Sequence, residues 1–128
     1  MKNNYYIVKF KHKARSDSIC IRVLGDPDYK ESFEIEPHLK IYFNHEKKPM
    51  AFKISDPSLL LELNKKNLLK AISEVQAEIK IDEKSISFCG RFYLSIDNDK
   101  IEKPFKIESP NTKGIPEIHS NFTSVGFY

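Results

Sequence analysis

The sequence predicts a single α+β domain, an antiparallel sheet with one main amphipathic helix packed on its apolar face. Two observations lead there. Between positions 17 and 58, four short runs alternate apolar and non-apolar residues, the period of a sheet with one buried face. From Pro57 to about residue 77, apolar residues recur at helical spacing. One such helix and a one-sided sheet solve each other's burial problem. The predicted parts are a β core at about 12–63, a helix at about 57–77, a second β segment at about 79–108 and an irregular C-terminal segment at 109–128.

The first predicted strand is 5–12. Tyr6, Val8, Phe10 and His12 share one face, and Tyr5, Ile7, Lys9 and Lys11 the other. A turn at 14–17 leads to strand 18–24, which buries Ile19, Ile21 and Val23 and leaves Cys20, Arg22 and Leu24 on its second face. Gly25, Asp26, Pro27 and Asp28 form a strong turn signal. Strand 33–36 points Phe33 and Ile35 inward and Glu34 and Glu36 outward, and Pro37 ends it. Strand 39–43 buries Leu39, Ile41 and Phe43. A polar connection follows, and strand 50–54 buries Met50, Phe52 and Ile54.

Asp56 is placed to cap a helix, with Pro57 at the first helical position, where its missing N–H costs nothing. Asn64 re-caps a second helical piece, whose stripe is Leu68, Leu69, Ile72 and Val75. Strands are then expected at 79–81, 85–88, 91–96 and 105–107. Beyond Pro110 the chain becomes irregular. With Ile115, Ile118 and Phe122 it is still too apolar for a disordered tail, so it is expected to pack on the domain.

Composition narrows the function classes. The chain has 128 residues, enough for a core without a metal or disulfide staple. Its net charge of +3, from 21 basic and 18 acidic residues, falls short of the excess that by itself indicates nucleic acid. No apolar run approaches the ~20 residues of a membrane-spanning helix. The N-terminus enters strand-like sequence directly, with no signal-peptide core, so a cytoplasmic location is expected, with Cys20 and Cys89 as reduced thiols.

The segments Asp17-Ser-Ile-Cys-Ile-Arg22, Glu31-Ser-Phe-Glu-Ile-Glu-Pro37, Leu39-Lys-Ile-Tyr-Phe-Asn44 and Phe52-Lys-Ile-Ser-Asp-Pro-Ser58 form a pattern. It resembles a family of small bacterial domains of unknown function. There, an Asp-x-Leu-Tyr-Ile strand leads to Glu-Pro-Gly, then an apolar strand, then Gly-Ile-Glu-Ile-Leu-Asp-Ala-Ser. This chain departs from that pattern at His12, Lys13, His38, Tyr42, Lys47 and Lys53, several of which stand where the family tends to carry carboxylates or glycine. The resemblance implies a small antiparallel sheet leading into a helix, no enzyme activity, and a role in small two-gene modules, some resembling toxin–antitoxin pairs. Partner binding is the function it suggests.

Residue chemistry points the same way. The histidines His12, His38, His45 and His119 and the two cysteines have no zinc spacing, so neither metal nor cofactor is expected. Cys20 and Cys89 lack a dedicated base and read as inert thiols. Asp97 and Asp99 imitate the start of a calcium loop, but Ile101 and Glu102 stand where it needs an oxygen ligand and a glycine, so a hairpin turn is expected. Glu34 and Glu36 read as solvated edge charges that discourage edge pairing. The feature least like background is the sheet's non-core face. Lys9, Lys11, Arg22, Lys40 and Lys53 take the phase opposite to the apolar residues, and Tyr42 and Tyr93 share it. The expected function is therefore a non-catalytic interaction module, an antitoxin- or immunity-like partner of another protein. The alternative is a nucleic-acid-binding domain using the same basic face.

Overall fold

The two-residue alternation runs much further than the four central segments. In a computed structural model that describes residues 3–25, 28–35, 38–63 and 66–124, it builds nine strands: β1 (Asn3–Lys13), β2 (Ser18–Val23), β3 (Tyr29–Ile35), β4 (Leu39–Asn44), β5 (Pro49–Ser55), β6 (Ile72–Ile81), β7 (Ser85–Ile96), β8 (Asp99–Pro110) and β9 (Ile118–Ser124). They form one sheet in the order β3-β4-β5-β2-β1-β9-β6-β7-β8. Neighbours are antiparallel except at the centre, where β1 and β9 run parallel with Tyr6 beside Phe122.

The protein is therefore nearly all-β, which overturns the α+β expectation, and its sheet is mixed rather than antiparallel. Among the described residues only Pro57–Leu60 forms an α-helix (α1), followed by a 3-10 turn at Lys66–Ala71. The predicted helix at 57–77 fails for a definite reason. Val75, Ala77, Ile79 and Ile81 are all buried at a period of two, while Gln76 and Lys80 face out. Ile72 joins the inner face through a register shift before Glu74, which moved it onto an apparent helical spacing. The predicted re-capping at Asn64 lies outside the described residues. The irregular segment predicted at 109–128 is corrected too: β9 occupies the middle of the sheet, with Ile118, Ser120 and Phe122 inward. The two strands predicted at 85–88 and 91–96 are one, β7.

The apolar faces of all nine strands meet because the sheet curls into a half-barrel. Four strands separate β5 from β7 in the sheet order. In a flat sheet that places them about 24 Å apart. Yet the rings of Phe52 on β5 and Phe88 on β7 stack at 4.4 Å, and Phe122 on β9 meets Phe52 edge-on at 4.9 Å. Ile21, Ile41, Phe52 and Ile54 are buried in this single core, as their strand phases predict. Leu69 and Ile72, expected there from a helical stripe, are buried too, but from the 3-10 turn and from β6. The connection at 111–117 packs back on it through Ile115. Asn111 pins that connection by donating to the Asp82 and Ile115 carbonyls at 2.9 and 2.8 Å.

Helix α1 is held by a residue far from it in sequence. Asp56 cannot cap it, because capping requires an extended backbone and Asp56 is left-handed, at φ 54°. Asp17 does the work instead. Its carboxylate accepts from the Ser58 N–H at 3.2 Å and the Ser58 hydroxyl at 2.5 Å, and its carbonyl accepts from the Asp56 N–H at 2.9 Å. Asp17 is buried, whereas the Asp56 side chain is exposed and meets His38 at 3.5 Å. Asp17→Ala is therefore expected to cost about 1–3 kcal/mol by stranding the Ser58 N–H and hydroxyl, while the backbone bond to Asp56 survives. Asp56→Ala should stay within about 0.5 kcal/mol. Urea denaturation of both variants checks the contrast, and equal losses would refute the assignment.

Candidate interaction face

Curling places the sheet's second face on the convex outside of the half-barrel, where register decides which side chains are neighbours. On β1, β2, β5 and β4 two rows cross the strands. One runs Lys11, Cys20, Lys53, Lys40; the other runs Lys9, Arg22, Ala51, Tyr42. Five of the seven residues singled out by phase, Lys9, Lys11, Arg22, Lys40 and Lys53, thus form one patch, and Tyr42 lies within it. Tyr93 does not. It sits on β7 in the other half of the sheet, with the Lys100 ammonium 4.6 Å over its ring.

The two halves of this face differ in how charge is balanced. On β6, β7 and β8 the cations have carboxylate partners: Lys100 meets Glu74 at 2.5 Å, Arg91 meets Glu102 at 2.7 Å and Lys106 meets Glu108 at 2.8 Å. Hydrogen bonding to Glu74 and Glu108 holds Lys100 and Lys106 above their ordinary pKa, and Tyr93 followed by Glu102 does the same for Arg91. Across the junction, His119 on β9 pairs with Glu78 on β6 at 2.6 Å. On the basic half no described carboxylate lies within ion-pair distance of Lys11, Arg22, Lys40 or Lys53. Glu34 stands opposite Lys40 in register, at the border of the patch, and Glu36 lies outside the described residues.

Relief on this face is set by side-chain size. A trough of about 480 Å³ runs along β1 and β2 between Lys9, Lys11, Lys13 and Arg22, with Cys20 in its wall. A second depression, about 180 Å³, adjoins it at Cys20 and Arg22 and lies over Ala51, bounded by Tyr29, Tyr42 and Lys53. Beyond Lys9 and Arg22 the face turns apolar: Tyr5, Ile7 and Leu24 are 76%, 51% and 42% exposed. This apolar corner and Ala51 were not singled out from the sequence. Their signal was present, because Tyr5 and Ile7 share the phase of Lys9 and Leu24 shares that of Arg22.

The remaining chemistry is sparse. Among the described residues no group of three or more His, Cys, Asp or Glu is placed to hold a metal ion, and no helix is long and apolar enough to cross a membrane. Cys20 and Cys89 are free and half-buried on the outer phase. His12 is half-buried at the end of β1, and burial, then the Lys70 charge, lowers its pKa. Asp97 and Asn98, at φ 49° and 69°, form the tight turn joining β7 to β8, which accounts for the calcium-loop imitation.

Comparison of the chain with family models, with curated proteins and with solved structures finds no match in any of the three.

Proposed function

We propose that this protein is a non-catalytic interaction module that docks an acidic partner protein on the outer face of β1, β2, β5 and β4. The observation that carries the reading is the contrast between the two halves of one face. Cations are matched by carboxylates on β6, β7 and β8, whereas on the other side Lys11, Arg22, Lys40 and Lys53 have no carboxylate within ion-pair distance among the described residues. Strands lie about 4.8 Å apart, well inside the screening length of about 8 Å at physiological salt. The fields of Lys9, Lys11, Arg22, Lys40 and Lys53 therefore add. Such a patch speeds encounter with an acidic surface and fixes its register. The resemblance read from the sequence, to a family whose members look like parts of small two-gene modules, some resembling toxin–antitoxin pairs, points by analogy to partner binding as well.

The test is reversal of charge at the centre of the patch. The Lys40→Glu, Lys53→Glu double variant is expected to melt within a few degrees of the parent. It should lose roughly a hundredfold or more in affinity for the adjacent gene's product, measured by calorimetry, since repulsion replaces attraction at two adjacent sites. Lys106→Glu, on the balanced half, should bind as the parent does. Unchanged binding by the double variant would sink the reading.

A second reading rests on the two rings of Tyr29 and Tyr42, 5.9 Å apart beside Arg22 and Lys53. Basic grooves with aromatic side chains bind single-stranded nucleic acid. Affinity for an unrelated oligonucleotide that falls steeply with salt would favour it.

A further inference from the structure

The depression over Ala51 has a shape and chemistry unlike the rest of the basic face. We infer that it is an anchor pocket for an aromatic or aliphatic side chain of the acidic partner, carried on a segment with carboxylates beside that side chain. The inference rests on the docking reading above and specifies what the partner must carry.

Ala51 lies between Arg22 on β2 and Tyr42 on β4, in a row of large side chains. A methyl group at that place leaves a notch of about 180 Å³. It is lined by Ala51, Phe52, Cys20, Tyr29 and Tyr42 together with the cations Arg22 and Lys53. An apolar hollow in water gains by being filled. Interfaces use such hollows for the few side chains that dominate binding, surrounded by polar contacts that exclude water. The two lining cations fix what flanks the anchor. Lys53 follows Ala51 by two residues along β5, about 7 Å, which is also the spacing between an anchor and an acidic residue two positions away in an extended segment.

Three observations favour a polypeptide over other occupants. The notch is smaller than the ~300 Å³ at which small-molecule pockets begin. The Tyr29 and Tyr42 rings are tilted by 58° and only 5.9 Å apart, so they leave no parallel slot for a nucleobase. The Lys40 ammonium already lies 5.3 Å over the Tyr42 ring. In addition, Ile7 and Leu24 continue the same face as exposed aliphatic surface beside Lys9 and Arg22, which suits a protein partner better than a phosphate backbone.

Two short synthetic peptides test this, alike in an Asp- and Glu-rich sequence and differing only in a central Phe or Ser, with a mixed-sequence single-stranded DNA as third probe. Affinity is measured by fluorescence anisotropy and location by amide chemical-shift mapping on the parent protein. The Phe peptide is expected to bind roughly tenfold or more tighter than the Ser peptide and to shift Cys20, Tyr42 and Ala51. Ala51→Leu, which fills the notch, should erase that preference; thermal melting shows whether the variant is folded. The shift map on the parent decides the matter if it is not. Equal binding of both peptides, abolished by the Lys40→Glu, Lys53→Glu variant, overturns the anchor and leaves the docking reading standing. A preference that survives Ala51→Leu, or shifts confined to other surfaces, also overturns the anchor. Binding of the DNA with neither peptide bound overturns both.

Discussion

Replacing Phe52 by alanine is expected to cost about 3–5 kcal/mol of folding stability. Phe52 is 1% exposed, and it touches parts of the chain that meet only because the sheet curls. Its ring stacks on Phe88 at 13° between planes and meets Phe122 edge-on, tying β5 to β7 and to β9 across the inside of the half-barrel. Truncation removes the transfer energy of a buried ring and both aromatic contacts, and it leaves a cavity that the surrounding strands, fixed by their ladders, cannot close. Against a total stability of about 5–15 kcal/mol, typical of single domains, the loss is severe. Urea denaturation reads it as a lower midpoint with the slope unchanged. A cost near zero would mean that Phe52 does not face the core and that the sheet's two faces have been interchanged.

Alanine at Gly90 is expected to destabilise the protein by about 3 kcal/mol, at or above the upper end of ordinary overpacking. The sign is the informative part. In an unstrained strand, glycine to alanine gains about 0.5–1 kcal/mol. At Gly90 the added methyl would lie 2.0 Å from the Gln76 carbonyl oxygen and 2.7 Å from the Ala77 Cα, both backbone atoms of the neighbouring strand that cannot swing aside. Gly90 pairs with Ala77 on one side and Phe105 on the other. Next to it the Phe105 ring packs against Phe88 at 5.4 Å and Phe92 at 5.2 Å. The missing side chain at Gly90 makes room for the β6 backbone at Gln76 and Ala77. Calorimetric melting of Gly90→Ala decides the matter: a raised midpoint would show that β6 and β7 have room for a methyl group there.

Which side chains face inward was legible from the chain alone wherever a strand was identified. Alternation placed Ile21, Ile41, Phe52 and Ile54 in the core and Lys9, Lys11, Arg22, Lys40 and Lys53 on the opposite face, because successive strand side chains point to opposite sides whatever the strand order. The same rule already put Ile7 and Leu24 on the basic face. Three things only the tertiary structure decided. The stretch at 72–81 is a strand and not a helix, since its period is hidden by one register shift and a buried strand between two partners outcompetes a weak helical stripe. The capping of α1 comes from Asp17, 41 residues away, which local sequence cannot announce. The grouping of the basic residues into one patch, with Tyr93 left outside it, depends on strand order. That order puts β5 between β2 and β4 and sends β9 back beside β1, through pairings far apart in the chain. Alternation is a property of each residue and its neighbours, whereas adjacency across strands is settled by which long-range pairings bury the core, and so only the folded sheet could decide it.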